Sequence, residues 1–176
     1  MEISVGHTPD ADDAFMFYGM FSGKVTSPYF TVTHVISDIE NLNRKALSPE
    51  LDVTAVSVHA CVHIPEYTIL RSGGSFGIGY GPIVTATKKM TVKELQKAKI
   101  AIPGKMTSAF LLLQLIIGKF DYLEMNFSDI PIAVKDGKVD AGLVIHETQL
   151  SYSQEGIIKI LDVGEWWDKT TDGLPV

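Results

Sequence analysis

The stretch IAIPGKMTSAFLLLQLIIG, Ile100 to Gly118, changes its hydrophobic rhythm part-way along. Its opening, through Ile102, is short, apolar and strand-like. Pro103-Gly104 closes it, because proline brings no donor to a strand ladder and glycine permits the turn. Thr107-Ser108 then supply hydroxyls of the kind that start helices. From Ala109 to Ile117 the chain is apolar nearly all round, which predicts a deeply buried helix over 108–117. A buried strand running straight into a buried helix is the repeating unit of an α/β sheet.

The same alternation extends in both directions. Strands are predicted at Ile3–His7, Thr31–Ile36, Val53–Val58, Tyr67–Leu70, Ile83–Thr87, Lys99–Ile102, Tyr122–Phe127, Ala141–Ile145 and Ile157–Leu161. Helices are predicted at Asp13–Phe21, Ile39–Leu47, Val92–Lys97, Ser108–Ile117, Ile130–Lys135 and Glu165–Lys169. One segment breaks the rhythm: SGGSFGIGYGP, Ser72 to Pro82, with glycines at 73, 74, 77, 79 and 81. The α/β pattern restarts after it, so two lobes are expected, 1–85 and 86–172, with 173–176 beginning a return crossover. A dinucleotide-binding turn does not fit, because Pro82 and the β-branched run IVTAT follow the glycines where a helix N-terminus would be needed.

The chain has 176 residues, 45% hydrophobic and 20% charged, the make-up of a soluble globular protein. Its net charge of −6 opposes general nucleic-acid binding, which needs a basic face. A small anion remains compatible, since a local site can oppose the global charge. The single cysteine, Cys61, rules out an intrachain disulfide and a cysteine-based zinc site. The first residues, MEISVGHTPDADD, lack the basic start and apolar core of a signal peptide. The run Ala109 to Gly118 is too short for a bilayer. A cytoplasmic protein with no membrane partner is the expectation.

Four places carry candidate chemistry. Asp10, Asp12 and Asp13 open the first helix, where carboxylates satisfy free amides and oppose the positive helix end; capping is preferred to a magnesium cluster. The aromatic run Phe15, Phe17 and Tyr18 beside them is expected in the core. Ser57 stands where the strand from Val53 ends, either offering a hydroxyl to a ligand or capping a helix. His59 and His63 share a helical spacing, but Pro65 follows at once and no zinc site is expected. The helix start at Thr107-Ser108 has two readings, an ordinary cap and an anion site for a carboxylate. Last, DAGLVIHETQ, Asp140 to Gln149, is an apolar strand that delivers His146 at its end. Ligands of open α/β sheets bind beyond the carboxyl ends of strands, and imidazole exchanges protons near neutral pH. His146 is the candidate general base.

Several spaced segments bear a further likeness: TPDADDAFMFYGM, DIENLNRKAL, LRSGG with GYGPIV, IPGKMTSAFLLL, AGLVIHE and LDVGEWWDKTTDGLP. In this order, from Ser4 to Pro175, the chain resembles the 1,4-dihydroxy-6-naphthoate synthase family of the futalosine route to menaquinone. The resemblance implies a two-lobed fold like that of type II periplasmic binding proteins. It implies a cofactor-free carbon–carbon lyase that fragments cyclic dehypoxanthine futalosine, an aromatic carboxylate. It assigns the base to His146 and substrate contacts to Ala55, Val56, Ser57, Thr107, Ser108 and Ala109, with no metal. Alanine at 55 departs from the longer basic residue of some relatives. Family members also continue beyond the match to Val176, so the first lobe is expected to be incomplete. An apolar face and a strand edge would then stand open, and the 176-residue chain alone would be poorly stable or inactive. Chorismate dehydratase of the same pathway and a non-catalytic small-carboxylate-binding protein are the competing readings.

Overall fold

The computed structural model describes all 176 residues, Met1 to Val176, which divide into two compact units, Met1–Ser75 and Phe76–Val176. No helix is long and apolar enough to cross a membrane.

The first unit is a three-stranded parallel sheet. Its central strand β1 (Glu2–His7) pairs with β2 (Thr31–Ile36) from Glu2↔Thr31 to His7↔Ile36, and with the two-residue β3 (Val53–Thr54). Parallel neighbours need crossovers, supplied here by helix α1 (Ala11–Phe21) and helix α2 (Ile39–Ala46). α2 begins where Asp38 accepts a hydrogen bond from Asn41 N at 3.0 Å, and it buries Glu40, Leu42, Asn43 and Ala46. A short helix α3 (Val58–Cys61) follows β3.

Two predicted strands are corrected in this unit. The strand predicted over Val53–Val58 stops at Thr54, because Ser57 N turns to the side chain of Asn43 and Val58 enters α3. The strand predicted over Tyr67–Leu70 does not form; Tyr67 spends its hydroxyl on Leu51 O, while Ile69 and Leu70 are exposed with no strand beside them. β-favouring side chains make a strand only where a ladder partner is present.

α1 inverts the usual pattern. Its only buried residue is Asp13, whose Oδ2 accepts from Thr8 N at 2.6 Å and Thr8 Oγ1 at 2.9 Å. Phe15 is 85% exposed and Tyr18 is 55% exposed, against the expectation that both lie in a core. The expected cap is also modified: Asp10 holds the N-cap position without a side-chain cap bond, and Asp13 instead fastens the β1–α1 turn. Phe17 and Phe21 do reach the sheet. Phe17 stacks on His7 at 4.8 Å between ring centroids, and Phe21 stacks on His34 at 3.8 Å.

The burial of His34 in that stack predicts acid sensitivity for the first unit. Burial, reinforced by neighbouring His7, holds the His34 imidazole below its ordinary range. A base with a depressed folded pKa takes up its proton more readily once unfolded. Its stabilising contribution is therefore intact above about pH 6.5, the ordinary imidazole value, and is lost as the pH falls below it. Urea denaturation is expected to show a lower midpoint at about pH 5.5 than at about pH 7.5, with the difference reduced in His34→Phe. An unaltered pH slope in that variant would count against His34 as the source.

The second unit has a five-stranded mixed sheet, ordered β6-β5-β7-β4-β8. Strands β5 (Lys99–Ile102), β6 (Asp121–Glu124) and β7 (Ala141–Val144) are parallel; β4 (Ile83–Ala86) runs antiparallel to both β7 and β8 (Ile158–Asp162). β4, which the expected boundary between residues 85 and 86 divides, lies inside this sheet between β7 and β8. Helices α4 (Val92–Leu95), α5 (Ser108–Ile117), α6 (Ile130–Lys135), α7 (Thr148–Ser151) and α8 (Val163–Thr171) complete the unit. β7 is buried throughout, as is β4, and the inner residues Ile100, Ile102, Leu113, Ile130, Leu143 and Val144 are fully enclosed. α5 buries Ala109, Phe110, Leu112, Leu113 and Ile117 but leaves Leu115 57% exposed, so it has an outer face.

Glycine explains two close approaches. A Cβ at Gly142 would come 2.4 Å from Ile130 Cγ2 and 2.8 Å from Val134 Cγ2, so α6 lies directly on β7. A Cβ at Gly164 would stand 2.4 Å from Gly81 N, and the obstacle there is backbone.

Candidate functional site

β5 and β7 are parallel neighbours, so their carboxyl ends open on the same edge of the second sheet. That edge receives two things: the start of α5, beyond Ile102, and His146, beyond Val144. This is the position at which open α/β sheets collect ligands.

His146 is half-buried and has φ of 53°, in the left-handed region. Asp172 is the other residue besides glycine with a positive φ; it ends α8 as a C-cap, an ordinary use of that conformation. His146 has no such excuse. It lies between a strand and a helix, and the left-handed backbone costs about 1–2 kcal/mol for a residue with a Cβ. Its carbonyl accepts from Gln149 N at 3.1 Å, which ties the turn to α7. Its ring meets Phe127 edge-to-face, 5.2 Å between centroids at 69°.

At the neighbouring strand end, Thr107 is 3% exposed and its hydroxyl is fully engaged. Oγ1 donates to Gly104 O at 2.8 Å and accepts from Phe110 N at 3.2 Å. The cap reading therefore holds for the Thr107 side chain. What the helix start can offer a ligand is its polarity, because the dipole there favours an anion. Ser108 is half-buried, whereas Ala109 is 4% exposed and can offer little beyond its backbone. Lys105 lies close by, exposed, with Nζ 5.6 Å from the centre of the Tyr122 ring.

In the first unit, Ala55, Val56 and Ser57 lie just beyond β3, at the carboxyl edge of that sheet. Ala55 N donates to Gly6 O at 2.8 Å, the last ladder bond before the chain turns away. Ser57 stands at the N-cap of α3 but makes no side-chain cap bond. Its partner is Asn43, 0% exposed on α2, whose Oδ1 accepts from Ser57 N at 2.8 Å and whose Nδ2 donates to Ser57 Oγ at 3.0 Å. The six expected contact residues and His146 thus fall into two sets, each at the carboxyl edge of its own unit's sheet.

A family model described as menaquinone biosynthesis matches residues 3–176. The chain belongs to the menaquinone-biosynthesis family. A 1,4-dihydroxy-6-naphthoate synthase from Thermus thermophilus is 37% identical over 175 residues, covering 99% of this chain and 63% of that protein. The chain therefore spans somewhat less than two thirds of this curated relative's length. A crystal structure of a protein from Archaeoglobus fulgidus superposes with a TM-score of 0.92 at 47% identity, over 99% of this chain and 65% of that one. The alkanesulfonate-binding protein of Xanthomonas axonopodis, bound to MOPS, gives a TM-score of 0.68 at 15% identity over 92% of this chain and 60% of that one. That last likeness concerns the fold alone, and it agrees with the expected type II periplasmic-binding-protein architecture.

Within this menaquinone-biosynthesis chain, sequence reasoning overlooked two residues that contact candidate site residues. Phe127 was assigned to the end of a strand; it opens a 3-10 turn, Phe127–Asp129. Asn43 left a readable signal. Ile39, Leu42, Asn43 and Ala46 follow the spacing of a core-facing helix stripe, so an amide there needs an internal partner. Replacing it is expected to be costly. Asn43→Leu should destabilise the chain by about 1–3 kcal/mol through the unsatisfied Ser57 amide and should weaken ligand binding. Chemical denaturation and a ligand titration check both; unchanged affinity in a folded variant would detach Asn43 from the site.

Proposed function

We propose that the chain carries out, or supplies the larger part of, a lyase that converts cyclic dehypoxanthine futalosine to 1,4-dihydroxy-6-naphthoate, with His146 as general base. The observation that carries this reading is the left-handed backbone of His146 at the carboxyl edge of the sheet. A strained backbone where a strand ends at a sheet edge is characteristic of functional sites.

The proposed chemistry needs few parts. The imidazole takes a proton from the substrate, and the freed electron pair forms a new π bond as a carbon–carbon bond breaks. The fragment that leaves with that bond's electrons takes the proton back from the imidazolium. The ring that forms is aromatic, which makes the step downhill. The substrate carboxylate sits at the start of α5, where Thr107, Ser108 and Ala109 present the positive end of the helix. Ala55, Val56 and Ser57 are the contacts proposed for the first unit, where Asn43 holds Ser57 through both its backbone amide and its hydroxyl. The step draws on no cofactor. The reading is of a cytoplasmic enzyme acting on a small aromatic carboxylate.

The test is to incubate the protein separately with cyclic dehypoxanthine futalosine and with chorismate and to identify the products by mass. Release of the dihydroxynaphthoate supports the lyase. Conversion of chorismate alone would replace it with a dehydratase, and stoichiometric retention of either compound unchanged would replace it with a binding protein.

A further inference from the structure

A base on a strained turn still needs its ring aimed. The backbone of His146 sets where the side chain leaves the chain, but the imidazole can rotate about two bonds beyond it. Proton transfer requires the nitrogen within hydrogen-bond reach of the substrate, and small misplacements are expensive. Something must therefore hold the ring.

We propose that Phe127 is a positioning residue for His146, fixing the direction of its imidazole through their edge-to-face contact. This rests on the reading that His146 is the base. Four observations carry it. The rings meet at 5.2 Å and 69°, within the range of favourable aromatic pairs. Phe127 is half-buried, while Met125, two residues before it, and Tyr152 pack on the core cluster around Ile130 and Val144. The Phe127 ring is thus not simply core filling; it turns to the imidazole. The turn bearing Phe127 is itself fastened on both sides. Before it, Met125 N donates to Ile102 O at 3.1 Å, prolonging the β5–β6 pairing past the end of β6. Within it, Asn126 Oδ1 accepts from Ser128 N at 3.1 Å and Ser128 Oγ at 2.9 Å, and Asp129 N donates to Asn126 O at 3.0 Å. After it, Ile130 is fully enclosed at the start of α6. Finally, α6 lies on β7 through Gly142, so the platform that carries Phe127 and the strand that carries His146 are packed as one piece.

The consequence is specific. Phe127→Leu keeps apolar volume but removes the ring, and Phe127→Tyr keeps the ring. With cyclic dehypoxanthine futalosine, Phe127→Leu is expected to lower kcat about tenfold to a hundredfold. Its KM should stay within about twofold, because the contact acts on the reacting group and not on substrate binding. Phe127→Tyr should restore kcat. Adding Phe127→Leu to His146→Asn should cause no further loss, since the two act as one unit. In the NMR spectrum of the same chain, the imidazole protons of His146 should move when the phenyl ring is removed. Unchanged kcat in Phe127→Leu, where His146→Asn is inactive, would overturn the positioning role and leave the base intact. Undiminished turnover in His146→Asn would overturn the base and the positioning role together. An unmoved His146 resonance in Phe127→Leu would overturn the positioning role whatever the turnover.

Discussion

His146→Asn should retain ligand binding and lose turnover by about a hundredfold to ten-thousandfold, the usual contribution of a positioned general base. Asparagine is the informative replacement. It is among the few residues that tolerate the left-handed backbone seen at φ 53°, so the turn between β7 and α7 should survive. It also keeps a polar tip of similar reach while being unable to accept a proton near neutral pH. Titration calorimetry with a substrate analogue, beside single-turnover kinetics, separates the two effects. A near-parental rate would remove His146 from the mechanism, and a joint loss of rate and binding would make it a contact residue.

The second large effect concerns the strand that delivers the histidine. Leu143 is 0% exposed in the middle of β7, and it sits opposite Val84 of β4. Leu143→Ala should cost about 2–5 kcal/mol, the lost transfer energy together with a cavity that a close-packed sheet cannot collapse. The control is Leu115→Ala on α5. That side chain is 57% exposed, and alanine is an excellent helix former, so the change should stay within about 0.5 kcal/mol. Urea midpoints of the two variants measured side by side test the assignment of inside and outside. Equal losses would mean that the outer face of α5 is covered in solution.

The α/β pattern was legible where local chemistry and tertiary context agree. Ile100 to Ile117 is the clearest case, since Pro103-Gly104, the Thr107 cap and the apolar run all point to one strand, one turn and one helix. His146 was legible for a related reason: the Ala141–Val144 run is unbroken, so its end could be located. Failures came where a residue's fate depends on distant partners. Tyr67–Leu70 has strand-like side chains but finds no ladder. The aromatic residues of α1 have core-like side chains, yet Phe15 and Tyr18 lie on the outside while Asp13 is drawn in by Thr8. Phe127 and Asn43 were missed because their roles are pairwise. Nothing beside Phe127 in the sequence names His146, and only the tertiary fold brings Asn43 of α2 to Ser57 at the start of α3.

The Asn43–Ser57 pair also bears on how tolerance to substitution would be distributed along this chain. Under the proposed function, a saturation library selected for growth on menaquinone supply would mark Asn43 as intolerant, although it is fully enclosed and belongs to a helix outside both expected contact sets. Asp would be its most instructive replacement, because it keeps an acceptor for the Ser57 amide and loses the donor to the Ser57 hydroxyl. The map of sensitive positions would then extend into the interior beneath Ser57, and a site drawn only from surface contacts would be too small.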